Sequence, residues 1–111
     1  MRINHDFHIH TNLSLCAAET VTAEHYINKA KELDLNKIGF ANHMWDENIQ
    51  PFLNRSYKIQ TVPYNLELRD ELKTLDKQGI KVYFGAEAEF HPIYGVALTE
   101  ENAEKFDYII V

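Results

Sequence analysis

The sequence predicts an α/β fold in which four strands alternate with helices in the order βαβαβαβ. Four apolar runs have the length and the β-branched and aromatic content of strands, and they cover residues 3–10, 37–43, 80–90 and 107–111. Segments with helical periodicity lie between these runs. Because right-handed crossovers through helices join parallel strands, we expect a parallel sheet that is open or closes toward a barrel. Its ligands should then gather beyond the C-terminal ends of the strands.

The first strand suggests a metal site, because it reads Asp6-Phe7-His8-Ile9-His10-Thr11. Strand alternation would send Asp6, His8 and His10 to one face, and Phe7 and Ile9 to the other. The two imidazoles are spaced to share a metal, although six histidines in 111 residues give roughly 0.3 His-x-His pairs by chance. The pair by itself therefore leaves a metal site and a coincidence both open.

A helix is expected over residues 22–34, and either Thr20 or Thr22 can cap it. The loop before it, 11–19, should bring Cys16 close to the end of the first strand. The apolar stripe of this helix should pack on the sheet, and it consists of Ala23, Tyr26, Ile27, Ala30 and Leu33.

The second strand ends in Asn42-His43, and a long connection over residues 44–62 follows it. Compact domains rarely keep a loop of that length unless it serves as a lid or binding element. It contains Arg55 and Lys58, which could grip a phosphate, since a guanidinium matches phosphate oxygens two at a time. Surface solvation is the alternative for both residues. For His43, the alternative to metal ligation is a hydrogen bond to the backbone.

The third strand is apolar first and acidic at its end. Pro63 should begin the helix before it, and Gly79 should end that helix. Glu87 and Glu89 share one face of the strand and are either ligands or edge-strand solubilisers. The apolar run before them favours a covered strand. The other local predictions are a buried helix face at Tyr64, Leu68, Leu72 and Leu75, a turn with His91 as a loop residue, and a short helix capped by Thr99.

Imidazole and carboxylate groups at three strand ends form a ligand set for Zn, Mn or Fe. Such a metal lowers the pKa of bound water and polarises a phosphoryl or carbonyl oxygen. Glu87 could bridge two metals about 3.5–4 Å apart. Asp6 could accept a hydrogen bond from the second ring nitrogen of a ligand, or pair locally at the strand start. Cys16 is a further ligand or a small apolar residue. The predicted catalytic residues are His8, His10, His43 and Glu87.

Composition limits the class of protein. The chain is 45% hydrophobic and 25% charged, as in an ordinary soluble domain, and we expect residues 1–111 to form one domain. The net charge of −6 argues against nucleic acid as the main partner. No apolar run has membrane-spanning length and no signal peptide is evident, so we expect a cytoplasmic protein. The single cysteine rules out an internal disulfide.

These motifs together resemble the opening half of the PHP (polymerase and histidinol phosphatase) superfamily, and the resemblance covers nearly the whole chain. It rests on the first-strand motif, on Asn42-His43, and on Gly85-Ala86-Glu87 at the end of the third strand. The resemblance implies a distorted (β/α)7 barrel with two or three divalent metals and the hydrolysis of phosphomonoesters, of which histidinol phosphate is one. It implies that His8 and His10 are the first pair of metal ligands of the family and that Glu87 is its bridging carboxylate. It also implies that His43 is the histidine of the second motif and that Cys16 is a ligand of a further metal. The family often has Asp where this chain has Asn42, so a role for that Asp does not transfer.

Members of the superfamily are about twice as long as this chain, within the usual size of such barrels. We therefore expect further ligands from a longer chain or from self-association. The leading functional hypothesis is a phosphatase that uses a metal-activated hydroxide on a small phosphorylated metabolite. The alternatives are a metal-binding accessory or regulatory domain without turnover, and a plain α/β domain without a site.

Overall fold

The computed structural model of the chain describes residues 3–49, 59–93 and 95–111. Its elements in chain order are β1 (His5–Ile9), α1 (Ala23–Glu32), β2 (Lys37–Met44), α2 (Val62–Thr74), β3 (Lys81–Ala88), β4 (Phe90–His91), β5 (Gly95–Val96), α3 (Glu100–Ala103) and β6 (Tyr108–Ile110). Four strands form one parallel sheet in the order β1-β2-β3-β6, and β4 pairs with β5 in an antiparallel ribbon. The predicted α/β class and the parallel order of the four main strands are confirmed.

The four-stranded sheet is curled. The Tyr108 hydroxyl, on β6, donates a hydrogen bond of 2.7 Å to the Phe7 carbonyl oxygen, on β1. In a flat sheet three strand spacings separate these edges by about 14 Å, which is farther than a tyrosine side chain reaches. The sheet therefore bends toward this face, like part of a barrel wall.

Each of the described helices begins at a threonine cap. Thr22, Thr61 and Thr99 accept hydrogen bonds from the backbone N–H of the residue three positions on, at 3.2–3.4 Å. The predicted caps Thr22 and Thr99 are confirmed, and Pro63 lies in the first turn of α2. Within the described ranges, no helix combines the length and apolar character needed to cross a bilayer.

The convex face of the sheet carries the helices. Ile27 of α1 and Leu68 of α2 are fully buried, and they belong to one apolar cluster with Ile38 and Phe40 of β2. The predicted stripe of α1 is wrong at one position, because Leu33 follows the last helical turn and is 58% exposed.

Two further predictions need correction. Helix α2 ends at Thr74, so Gly79 does not end it. Gly79 instead has a φ of +81° in the turn that leads into β3, where the Ile80 N–H bonds to the Lys77 carbonyl. The segment after β3 is not a simple turn, because it forms the β4–β5 ribbon. His91 belongs to that ribbon and is 4% exposed, so it is not the loop residue that we predicted.

Candidate metal centre

The site residues lie at the C-terminal ends of three adjacent strands. His8 lies in β1 and His10 follows its last residue, His43 lies in β2, and Glu87 lies in β3. His43 and Glu87 are direct partners in the parallel register of β2 and β3. Since Glu87 on β3 has a paired strand on each side, the alternative of an edge-strand solubiliser does not apply to it.

Strand β1 contains a bulge next to the site. Asp6 lies opposite Ile38, and Ile9 lies opposite Phe40. Three steps on β1 therefore match two steps on β2, which is the geometry of a β-bulge.

The bulge overturns the predicted division of faces in β1. Phe7 packs against Tyr83 and Tyr108, with ring centroids 5.6 and 5.9 Å away, whereas Ile9 belongs to the core cluster under the helices. Phe7 and Ile9 thus face opposite sides, because the extra residue breaks the alternation of side chains. The same shift leaves the His8 ring facing Glu87.

One carboxylate oxygen lies at the centre of the site. Glu87 Oε2 is 3.1 Å from His8 Nε2, 2.8 Å from His10 Nε2 and 3.5 Å from His43 Nδ1. His8 is half exposed, whereas the other three side chains are 15–24% exposed. Three imidazoles from two strands therefore converge on one oxygen of a third strand.

The protonation states suit metal ligands. Burial lowers the pKa of His10, and the neighbouring His43 lowers it further, which outweighs the opposite effect of Glu87. Burial alone would raise the pKa of Glu87, but the close imidazole of His8 and the other rings outweigh it, so the pKa lies below its usual value. A neutral imidazole and an ionised carboxylate are the forms that bind metals.

Two buried atoms indicate that a cation fits. His10 Nε2 and Glu87 Oε2 are buried and, although 2.8 Å apart, neither makes a hydrogen bond with the described residues. Buried polar atoms without partners are uncommon and call for an explanation. A divalent cation held by His8, His10 and Glu87 would satisfy both atoms, and imidazole with carboxylate is a donor set for Zn, Mn or Fe.

A second group of donors adjoins the first. His10, Cys16 and His43 each offer a ligand atom within 4.8 Å of the others. Cys16 Sγ lies 3.0 Å from His10 Nδ1 and 3.4 Å from Ser14 Oγ. Cys16 is exposed, so the alternative of a small buried apolar residue does not hold. Thiolate and imidazole together suit zinc.

Two carboxylates surround these donors. Glu89 Oε1 lies 2.9 Å from His43 Nδ1, the arrangement that fixes the tautomer and orientation of a ligand. Asp6 Oδ1 accepts a hydrogen bond of 3.0 Å from the backbone N–H of His8. This bond is the local pairing at the strand start that we gave as the alternative to a hydrogen bond from an imidazole ring.

Buried amides hold the loop that carries Cys16. The Asn42 side chain donates to Thr11 Oγ1 at 2.8 Å and accepts from the Thr11 N–H at 2.7 Å, so it uses both its donor and its acceptor. Gln60 donates to the His43 carbonyl and accepts from the Leu15 N–H, at 3.1 and 3.2 Å. These bonds tie the loop after β1 to the end of β2.

Sequence reasoning missed Gln60 and Asn65. Asn65 is 1% exposed and donates to the carbonyls of His43, Gln60 and Thr61 at 3.0–3.3 Å. Its position three residues before Leu68 places it on the buried face of α2, and a polar residue on a buried stripe is a signal that could have revealed it.

A cleft of about 550 Å³ opens beside the donors. Its wall includes His8, His10 and Cys16, together with Asp6 and Tyr26. This volume is within the range of small-molecule sites.

Two predicted phosphate contacts, Arg55 and Lys58, lie outside the described residues. His91 belongs to neither donor group. Its Nδ1 accepts a hydrogen bond of 3.0 Å from the Ile93 N–H, and its ring packs against Trp45.

In a comparison with known families, a family model described as PHP domain matches residues 6–111. The matched range contains every candidate donor named above. Neither the curated proteins nor the solved structures yield a match to the chain.

Proposed function

Because the chain belongs to the PHP domain family, we propose that it acts as a metal-dependent phosphoesterase on a small phosphomonoester similar to histidinol phosphate. We further propose that its sheet is the opening part of a (β/α)7 barrel, with residues 1–111 in a single domain, and that it functions in the cytoplasm. The observation that carries the proposal is the convergence of three imidazoles on Glu87 Oε2.

The proposed donors divide into two sets that share His10. His8, His10 and Glu87 would hold one divalent cation, and Cys16 and His43 could contribute to another, because a neutral His10 offers one lone pair and serves one cation at a time. When bound, such cations supply Lewis acidity toward a phosphoryl oxygen and lower the pKa of water.

The residues of the chain supply positioning. Glu89 orients the His43 ring through Nδ1. The cleft beside β1 is large enough for a phosphorylated metabolite. We propose that Arg55 and Lys58 contact the phosphate, since charged donors bind phosphate oxygens strongly. A second copy, or the same chain in a longer form, would supply the remaining ligands.

One observation favours the alternative of a metal-binding accessory domain without turnover. Among the residues that line the cleft in the described ranges, there is no lysine or arginine. Without a contribution from elsewhere, a phosphate in this cleft would meet metal, neutral groups and the Asp6 carboxylate, which repels it.

Metal content and activity test the proposal together. Protein purified without chelator should contain zinc, manganese or iron by elemental analysis, and should hydrolyse p-nitrophenyl phosphate or histidinol phosphate. Replacing both His8 and His10 by Ala should abolish metal content and activity. Replacing His25, which is exposed on α1, should change neither.

The outcomes separate the hypotheses. Metal without hydrolysis of any phosphomonoester would favour the accessory domain. Absence of bound metal at neutral pH would favour a plain α/β domain. Activity that survives the double substitution would place the reaction elsewhere.

A further inference from the structure

A tyrosine from the last strand crosses the concave face of the sheet. The Tyr108 side chain starts on β6, passes over β3 and β2, and ends at the Phe7 carbonyl of β1, 2.7 Å from its hydroxyl. Its ring also contacts the Phe7 ring edge-on, at 5.9 Å between centroids.

Two glycines leave the space for this crossing. A Cβ on Gly85 would lie 2.5 Å from Tyr108 Cζ, and a Cβ on Gly39 would collide with the Tyr108 hydroxyl. Any other residue at these positions would displace the ring. The space that the Tyr108 ring needs therefore explains why glycine opens the Gly85-Ala86-Glu87 motif.

The Tyr108 hydroxyl and the Asp6 carboxylate hold the two ends of one peptide group. The carbonyl that accepts from Tyr108 belongs to Phe7, and the N–H that donates to Asp6 belongs to His8. These two atoms are the oxygen and the nitrogen of the Phe7–His8 peptide, which lies in the bulge of β1. Bulge residues lose regular ladder bonds, and here two side chains supply partners.

The His8 ring depends on this peptide for its direction. Its side chain is 51% exposed, so packing contributes little to its position, yet Nε2 lies 3.1 Å from Glu87 Oε2. Rotation of the peptide plane would turn the Cα–Cβ bond of His8 and move the ring away from the carboxylate.

We infer that Tyr108 is a positioning residue for His8, and that it acts with Asp6 by fixing the Phe7–His8 peptide so that the ring of His8 points to Glu87. The inference rests on the proposed function in one respect, since His8 is there a metal ligand.

Tyr108 remains a donor at neutral pH. Burial raises the pKa of its hydroxyl, and the negative charges of Asp6 and Asp107 raise it further. The proton needed for the bond to the Phe7 carbonyl is therefore retained.

Zinc titration of four variants tests the inference. Tyr108→Phe removes only the hydroxyl and should weaken zinc binding by about 10–100-fold, the usual effect of losing a partner that orients a ligand. Tyr83→Phe is the matched control, since the Tyr83 ring also contacts Phe7 but its hydroxyl does not bond the Phe7 carbonyl, and it should bind as the parent does. His8→Ala and the double variant Tyr108→Phe/His8→Ala complete a mutant cycle.

The cycle distinguishes positioning from general stabilisation. If Tyr108 acts through His8, the phenylalanine substitution should cause no further loss in the His8→Ala background. An equal loss in both backgrounds, or an equal loss in Tyr83→Phe, would overturn the inference.

A second pair of variants tests the hydrogen bond between Asp6 and the His8 N–H independently of Tyr108. Asp6→Asn keeps an oxygen that can accept from the His8 N–H and should retain most of the zinc affinity. Asp6→Ala removes that acceptor and should lose affinity to a similar degree as Tyr108→Phe. Equal affinities for the two Asp6 variants would contradict the role of this hydrogen bond.

Metal-free protein separates failure of the inference from failure of the proposed function. In the parent, nuclear Overhauser contacts should connect the His8 and His10 rings, whose centroids are 5.2 Å apart. Tyr108→Phe should weaken these contacts, and Tyr83→Phe should not. If the parent binds no zinc but Tyr108→Phe still weakens these contacts, the metal function alone is refuted. If Tyr108→Phe leaves the contacts unchanged, the positioning role is refuted.

Discussion

Replacing Asp46 by Asn should destabilise the folded chain by about 2–4 kcal/mol at pH 7. The Asp46 carboxylate is 0% exposed and follows β2, three residues after His43. Its Oδ2 accepts from Thr99 N, Thr99 Oγ1 and Asn102 Nδ2 at 2.7–2.9 Å, and its Oδ1 accepts from Asn48 N at 2.9 Å. It therefore joins the end of β2 to the start of α3.

The magnitude follows from these four bonds. An amide can place its single oxygen at the Oδ2 position and keep three of them, but its NH2 group then faces the Asn48 N–H. A buried donor that faces another donor costs about 1–3 kcal/mol, and the loss of charge assistance on the other bonds adds about 1 kcal/mol or more. The sum is the expected 2–4 kcal/mol.

Urea unfolding followed by far-ultraviolet circular dichroism measures this loss. Asp76→Asn is the matched control, because Asp76 also accepts from the N–H two residues on, that of Gln78 at 3.0 Å, but at an exposed site. The control should change the free energy of unfolding by less than about 0.5 kcal/mol. A loss for Asp46→Asn no greater than that of the control would refute the reasoning.

Acid should reduce the difference between the parent and Asp46→Asn. Burial alone would raise the pKa of Asp46, but the bonds from Thr99, Asn102 and Asn48 outweigh it and hold the pKa below its ordinary value of 3.8. Its stabilisation is therefore present above pH 3.8 and is lost as the pH falls through the lower folded value. A difference that grows on acidification would contradict this sign.

Three further predictions concern the centre and its support. Glu89→Gln should weaken zinc binding by about 10–100-fold in titration calorimetry, because it removes the charged partner of His43, whereas Glu24→Gln on the exposed face of α1 should not. Asn42→Asp should cost about 1–3 kcal/mol in urea unfolding at pH 7, because a buried carboxylate cannot donate to Thr11, and the cost should shrink in acid as the carboxyl regains a proton. Zinc at 100 times its dissociation constant should stabilise the chain by about 2.7 kcal/mol in thermal unfolding, and a chelator should reverse the gain.

The order of elements and the meeting of the donors could be predicted because both follow from local patterns. Caps such as Thr22 and Thr99 have a short-range signature, and apolar runs mark the strands. Once the strands are parallel, their C-terminal ends share one edge of the sheet. His8, His43 and Glu87 therefore meet at that edge, as the positions of the three strand ends in the sequence predict.

The bulge in β1 could not be predicted, because it is a property of pairing between two strands. A single strand shows only alternation, and Phe7 and Ile9 obey that pattern in sequence while facing opposite sides in the structure. The bond between Tyr108 and Phe7 joins residues 101 positions apart, which no local pattern encodes. Its trace in the sequence is indirect and consists of glycines in two strands, Gly39 and Gly85, where packing normally favours larger residues.

The surroundings of His10 show why the centre is better explained with a cation than without one. A neutral imidazole carries one proton, and burial and the neighbouring rings favour this neutral form. If the proton is on Nδ1, Nδ1–H can donate a hydrogen bond to Cys16 Sγ at 3.0 Å. The lone pair of Nε2 then faces Glu87 Oε2 at 2.8 Å, so that two acceptors meet. If the proton is on Nε2, it is still not aligned with that oxygen, which makes no hydrogen bond with the described residues. In either tautomer, His10 leaves the buried Glu87 Oε2 without a hydrogen bond. In the tautomer with the proton on Nδ1, a shared divalent cation removes the repulsion between His10 Nε2 and Glu87 Oε2 because it attracts both atoms.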